Sequence, residues 1–306
     1  MKAISSSPVS DAAPVLESGS VSRTSVWLDL FKARLSALVV LTTLAGFYVG
    51  YQGTVDYRLM FHAVVGTALL AAGAAALNQL LERHHDALMK RTETRPLPTG
   101  QLTPAVVLWV GNFVSLVGLL QLLLFVIPLT AVLGALTWVS YLFVYTPLKR
   151  VTSLNTAIGA IPGALPPLMG WTAARGHLSV EGWSLFAILF FWQLPHFLAI
   201  AWIYREEYRR AGFAMLPCFD EDGSRTGRQA LSHTLGLFPL SLSPFAFRMA
   251  GPFYLGMAIF LGLGFIWCAY RFSRRMDRDS ARQLFFASIL YLPLLLVMMV
   301  IDKTKL

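Results

Sequence analysis

Apolar residues in this chain come in long runs separated by short polar segments. Nine runs stand out, at about 35–52, 60–81, 104–122, 126–146, 154–172, 183–203, 231–249, 252–270 and 284–301. Each is close to the roughly 20 residues that an α-helix needs to cross about 30 Å of hydrocarbon. The pattern predicts an all-α, polytopic membrane protein with nine transmembrane helices. Ahead of the first run, Trp27–Leu38 mixes apolar residues with Asp29, Lys32 and Arg34, which suits an interfacial lead-in. Residues 1–26 are rich in Ser, Val and Ala without a continuous apolar core, so they read as a disordered tail rather than a signal peptide. Residues 27–306 then form a single membrane domain.

Composition agrees with the pattern. The chain of 306 residues is 56% hydrophobic and 13% charged, against roughly 25% charged in soluble domains. Charge adds an orientation. With the N-terminus in the cytoplasm, the basic residues gather on the cytoplasmic side and leave only Arg58, Arg175, Arg248, Lys303 and Lys305 opposite. Of the acids, only Asp56, Glu181 and Asp302 fall outside. This is a strong positive-inside bias, and it places the C-terminus on the far side of what would be a bacterial inner membrane. The net charge of +9 is thereby explained by topology and lipid, and no motif supports nucleic-acid binding. Cys218 and Cys268 lack metal-type spacing and are expected as free thiols.

The second run ends in an unusual polar stretch, from Asn78 to Gly100. Asn78, Glu82 and Asp86 are spaced i, i+4, i+8, so on a helix they share one face. An oxygen-rich row beside Lys90, Arg91 and Arg95 suits Mg2+ carrying a phosphate or diphosphate. After the sixth run a second cytoplasmic segment carries Glu206 and Glu207 among arginines, then Asp220, Glu221 and Asp222. Lys149 and Arg150 add cationic donors from the loop after the fourth run. Inside the sixth run lie Gln193 and His196, with Pro195 loosening the backbone beside them. Polar groups at that depth are costly and mark function; His196 could be an iron ligand or a proton acceptor. His84 and His85 point about 100° apart on a helix and are expected to be solvated.

These segments together resemble the protoheme IX farnesyltransferase (haem O synthase) family, a branch of the UbiA superfamily of intramembrane prenyltransferases. The resemblance rests on NxxxExxxD followed by RTxxRPLPxG, YTPLKRxTxxN ending at Asn155, GAxPPLxGW at 163–171, FWQLPHF and EEYxxAGxxMLP, in the family's order. It implies a nine-helix bundle whose active site faces the cytoplasm. It also implies farnesyl transfer from farnesyl diphosphate to a vinyl group of haem b, giving haem O. Carried over, Asn78, Glu82 and Asp86 match the first metal–diphosphate motif, and Glu207, with Glu206 beside it, matches the second. Arg91, Arg95, Lys149 and Arg150 would bind diphosphate. His196, with Tyr145 and Gln193, would face the acceptor, and His196 or Tyr145 would handle the water that completes the product. Haem O would pass to a haem A synthase or to terminal-oxidase assembly factors. Two departures stand out: Glu82 where many relatives have Asp, and Glu206-Glu207 in place of an Asp-based motif. The alternatives are a UbiA-type enzyme acting on a quinone or other aromatic acceptor and, more remotely, a small-molecule transporter. The acids collect at one membrane face rather than at mid-span, which disfavours transport.

Overall fold

A computed structural model describes residues 22–304; the expected tail lies largely outside them. Twelve helices follow one another: α1 Arg23–Leu30, α2 Ala33–Gly50, α3 Tyr57–Asp86, α4 Pro104–Phe125, α5 Pro128–Val139, α6 Thr146–Leu148, α7 Asn155–Arg175, α8 Val180–Ile203, α9 Arg205–Arg210, α10 Ser224–Ala246, α11 Pro252–Arg275 and α12 Arg278–Ile301. A π-helical turn, Ser140–Tyr145, joins α5 to α6. Helices stand in each of the nine apolar runs, with the run at 126–146 divided between α5, the π-helical turn and the start of α6. Five helices (α3, α4, α8, α11 and α12) and the continuous segment Pro128–Leu148 are long and apolar enough to cross a membrane, and a seventh span is added if α1 and α2, bent by 56°, count as one broken span. α7, rich in Gly and Pro, and α10, with Arg225, Arg228, Gln229 and His233, fall short of that apolarity among the described residues. Helix α1 begins at Arg23, so the last residues of the expected tail are already helical.

The chain starts and stops its helices by local means. Asp56 accepts the Leu59 amide at the start of α3, and Asp277 does the same for Ser280 at the start of α12. Proline opens α4, α5 and α11, where its missing N–H costs nothing. The π-helical turn also has a local cause. Pro147 cannot donate to the ladder, and Thr146 Oγ1 donates instead to the Tyr141 carbonyl at 2.8 Å, over five residues.

Helix α3 packs along α4, α2 along α7, and α7 along α8; α8 in turn meets α10 and α12, with α11 between those two. Close approach depends on small residues, as is usual within membranes. A Cβ on Gly46 would run into the Pro167 carbonyl, and one on Gly170 into that of Thr43, so the α2–α7 seam admits nothing larger. The largest apolar core gathers Trp171, Trp192, Trp202, Tyr254, Phe265 and Tyr291 between α7, α8, α11 and α12. At the end opposite the polar loops, Lys303 Nζ donates to the carbonyls of Tyr48 and Tyr51, and Asp302 accepts the Tyr254 amide. These bonds close α12 onto α2 and α11.

Candidate active site

The last three turns of α3 carry Asn78, Glu82 and Asp86 on one face, all three buried. Three cations meet them. Lys32 Nζ donates to Asn78 Oδ1, Lys149 Nζ to Glu82 Oε1, and Arg95 to Asp86 Oδ2, each at 2.7 Å. Asn78 also donates to Thr146 Oγ1 at 3.1 Å, which ties the row to the turn after the π-helix. Burial works against the Lys149 charge, but Glu82 more than offsets it and raises the ammonium above its ordinary range. Lys149 Nζ also lies 4.6 Å from the centre of the Tyr145 ring.

Three loop segments at this end of the bundle hold this constellation. Thr92 Oγ1 donates to the Asp86 carbonyl, so the loop after α3 folds back on the helix end and delivers Arg95. Met89 from that loop is buried against Phe213 and Met215 of the segment after α9. There Gly212, at φ +74, makes a turn that a side chain would strain. The Ala214 amide donates to the Lys149 carbonyl at 2.7 Å, and Asn155 donates to the Ala214 carbonyl at 2.8 Å. The apolar residues and the final asparagine of the sequence motifs thus serve to fix Lys149.

The remaining expected residues divide. Arg91 donates to the Tyr208 hydroxyl at 2.6 Å and stacks on the rings of Tyr204 and Tyr208, bridging two loops. Arg150 is exposed and reaches His85 Nε2 at 3.2 Å, while His85 Nδ1 meets the Ala211 carbonyl. His85 is therefore a connector, which corrects the expectation of a solvated pair; His84 is exposed as expected. Glu206 is 63% exposed and pairs with Arg205 and Arg209. Glu207, its neighbour, keeps a buried Oε2 without a partner among the described residues. Asp220 caps α10 through the amide and hydroxyl of Thr226, and Asp222 accepts the Ser224 amide. Cys218 and Cys268 are free, as expected, and burial raises the Cys218 thiol.

From Lys149 an apolar cavity of about 270 Å3 leads into the bundle. Trp138, Tyr141, Tyr145, Gln193 and His196 line it together with apolar faces of α2 and α3. Gly159 leaves room for the Tyr145 ring. Gln193 donates to the carbonyls of Ala160 and Leu189, which fixes its amide. His196 lies between the rings of Trp192 and Phe285, at 5.2 and 5.0 Å. Its Nδ1 is 2.7 Å from Ser288 Oγ, whose own hydrogen goes to the Phe285 carbonyl. That network assigns the Nδ1 proton to the serine bond and leaves Nε2 as the imidazole's acceptor.

A family model described as the UbiA prenyltransferase family matches residues 39–290. The chain belongs to the UbiA prenyltransferase family. Among curated relatives, the protoheme IX farnesyltransferase of Solibacter usitatus is 43% identical over 286 residues, covering 90% of this chain and 98% of that protein. The protoheme IX farnesyltransferase of Opitutus terrae is 45% identical over 278 residues, covering 90% and 94%. In structure, a UbiA homologue from Archaeoglobus fulgidus bound to GPP and Mg2+ aligns with a TM-score of 0.66 at 14% identity, over 90% of this chain and 99% of that one. The UbiA fold is thus established, and with it the integral, multi-pass membrane character.

Sequence reasoning missed Lys32. It sits at the break between α1 and α2, with φ at +47, and that left-handed turn sends its ammonium to Asn78. Basic residues near a first span are normally topogenic, so composition gave no reason to single it out. Lys32→Met is expected to lower stability by about 1.5–3 kcal/mol, the usual worth of a hydrogen bond to a charged group. Thermal unfolding in detergent checks this; an unchanged Tm would mean that water replaces the ammonium at no cost.

Proposed function

We propose that this chain transfers a farnesyl group from farnesyl diphosphate to a vinyl carbon of haem b, giving haem O and diphosphate. One observation carries the reading: a single apolar cavity connects Lys149, paired to the acidic row, with His196 inside the bundle. A diphosphate at the polar end would send its isoprenoid chain into the cavity. The acceptor would meet it on the His196 side. The protein would lie in a bacterial inner membrane with its N-terminus in the cytoplasm, a placement supported by the basic bias of the loops.

The donor set fits a magnesium ion. Among the described residues no three His, Cys, Asp or Glu side chains form a ready-made cluster. Asn78, Glu82 and Asp86 nevertheless offer buried oxygens, and Glu207 an unpartnered one. Magnesium takes only one or two protein carboxylates and completes its shell with phosphate oxygens and water. Asn78 with the carboxylates of Glu82 and Asp86 would hold it; Glu207 forms no three-carboxylate cluster with them among the described residues, and Glu206 is engaged elsewhere. When bound it would offset the diphosphate charge.

The chain's own residues account for the rest. Lys32, Lys149 and Arg95 now neutralise the row, and an arriving diphosphate would draw the same cations onto its oxygens. The C1–O bond breaks and diphosphate leaves with the electron pair, while these cations stabilise the growing negative charge. Tyr141, Tyr145 and Trp138 line the space in which the allylic cation would lie, away from stray water. The terminal vinyl carbon of haem bonds to C1. Water adds to the resulting cation and loses a proton, for which the free Nε2 of His196 is suited. A quinone acceptor has no comparable need for an imidazole held in this way.

His196→Ala is expected to weaken haem binding about tenfold and to alter the Soret band, with a smaller change in the same direction for Ser288→Ala. Spectral titration of purified protein measures both. A spectrum and rate equal to wild type would remove His196 from the acceptor side. Offered haem b and an aromatic acid together, the wild type should prenylate haem alone.

A further inference from the structure

The cavity of about 270 Å3 is small for two substrates, since pockets for single drug-sized ligands span roughly 300–1,000 Å3. If it receives the isoprenoid chain, most of the tetrapyrrole must lie elsewhere and reach in by one edge. A second pocket, of about 450 Å3, opens between the cytoplasmic ends of α8 and α12. Ile200, Ile203, Tyr204, Phe285, Phe286 and Arg282 line it. Its walls are apolar and aromatic, with one guanidinium at the rim. Arg282 is exposed and forms no ion pair among the described residues.

Two of its walls belong to the candidate active site. Phe285 stacks on His196, which lines the first cavity, so this ring pair divides the two spaces. Tyr204 carries the Arg91 guanidinium at 5.3 Å from its ring centre. Along α12, Arg282 stands six residues before Ser288, the partner of His196, a rise of about 9 Å. That is comparable to the breadth of a porphyrin. In haem b the two propionates leave one edge of the macrocycle and the vinyl groups the opposite side.

We propose that this groove is the docking site of haem b: the ring lies against Phe285, Phe286, Ile200 and Ile203, a propionate pairs with Arg282, and the vinyl edge is directed past Phe285 and His196 into the farnesyl cavity. The inference rests on the farnesyl-transfer reading and names the acceptor's place within it. Charge complementarity selects the occupant. Neutral lipid tails would fill the apolar walls but leave Arg282 unpaired, whereas a dianionic flat amphiphile satisfies both features. Haem would then enter from the bilayer side at headgroup depth, with its charged edge toward the cytoplasm.

The test compares haem b with its dimethyl ester, in which both propionates are masked. With purified protein in detergent, Arg282→Ala should raise the Kd and KM for haem b about tenfold or more, the usual loss for one charge-assisted contact. The KM for farnesyl diphosphate should stay as it is. Wild type and Arg282→Ala should bind the ester equally. Ile203→Trp, which fills the groove, should weaken binding of both haem forms. Equal haem b affinity in wild type and Arg282→Ala would overturn the proposal. So would a variant that changes only the retention of anionic lipid, which would assign the groove to lipid. Haem O formation by the wild type tests the reaction itself, so a groove that fails while haem O is made leaves the reaction standing.

Discussion

Asp86→Ala is expected to lower haem O formation by at least about 10²-fold, the scale of losing one preorganised charged group in a site of this kind. Asp86 ends α3 and is buried, and among the described residues its ion pair is with Arg95, whose side chain is 25% exposed. Removing the carboxylate therefore strands a guanidinium that can reach water, so the fold should survive. The Thr92 bond to the Asp86 carbonyl is unaffected because it uses the backbone. Asp86→Asn separates size from charge: it retains shape and one acceptor, yet should lose nearly as much activity. The checks are haem O formed per minute by equal amounts of purified protein and the elution profile of each variant. Wild-type rates for Asp86→Ala would remove the row from the reaction.

Lys149→Ala carries the largest expected stability loss. Glu82 is buried at 6% exposure, and Lys149 sits 2.7 Å from it with only 16% of its side chain exposed. Breaking such a pair leaves an uncompensated buried charge and costs about 3–5 kcal/mol, a large part of the roughly 5–15 kcal/mol that holds a domain folded. Activity should vanish as well, because the same ammonium is the cation at the mouth of the cavity. The double variant Glu82→Gln, Lys149→Met separates the two effects. It removes both charges together and should recover most of the stability, but none of the activity. Denaturant or thermal unfolding in detergent, run beside the haem O assay, gives both readings. Activity recovered along with stability would reduce Lys149 to a packing role.

The helices and the acidic row were legible because both are matters of period. Apolar runs of membrane length fix where helices stand, and a spacing of four fixes a common face. What faces what across the bundle is not periodic. Glu206 and Glu207 are adjacent and chemically alike, yet only the docking of α9 turns one to solvent and leaves the other with a buried, unpartnered oxygen. Arg91 and Arg150 carry the same charge as Arg95 and Lys149, but their loops direct them to Tyr208 and His85. Lys32 reached the row through a left-handed backbone turn that no propensity forecasts. The motif residues Asn155, Ala211 and Phe213 proved to be fasteners for Lys149 and the loops around it. The groove at Arg282 was invisible for a related reason, since its walls come from two helices about 80 residues apart.

The central claim is that an allylic diphosphate in the apolar cavity meets the vinyl edge of a haem at its His196 end. Its most direct test is mass spectrometry of the pigment extracted after purified protein is incubated with haem b, farnesyl diphosphate and Mg2+. The expected product is a haem whose mass exceeds that of haem b by one farnesyl group plus one hydroxyl group (C15H26O), formed only when all three are present. Unchanged haem b after that incubation would contradict it.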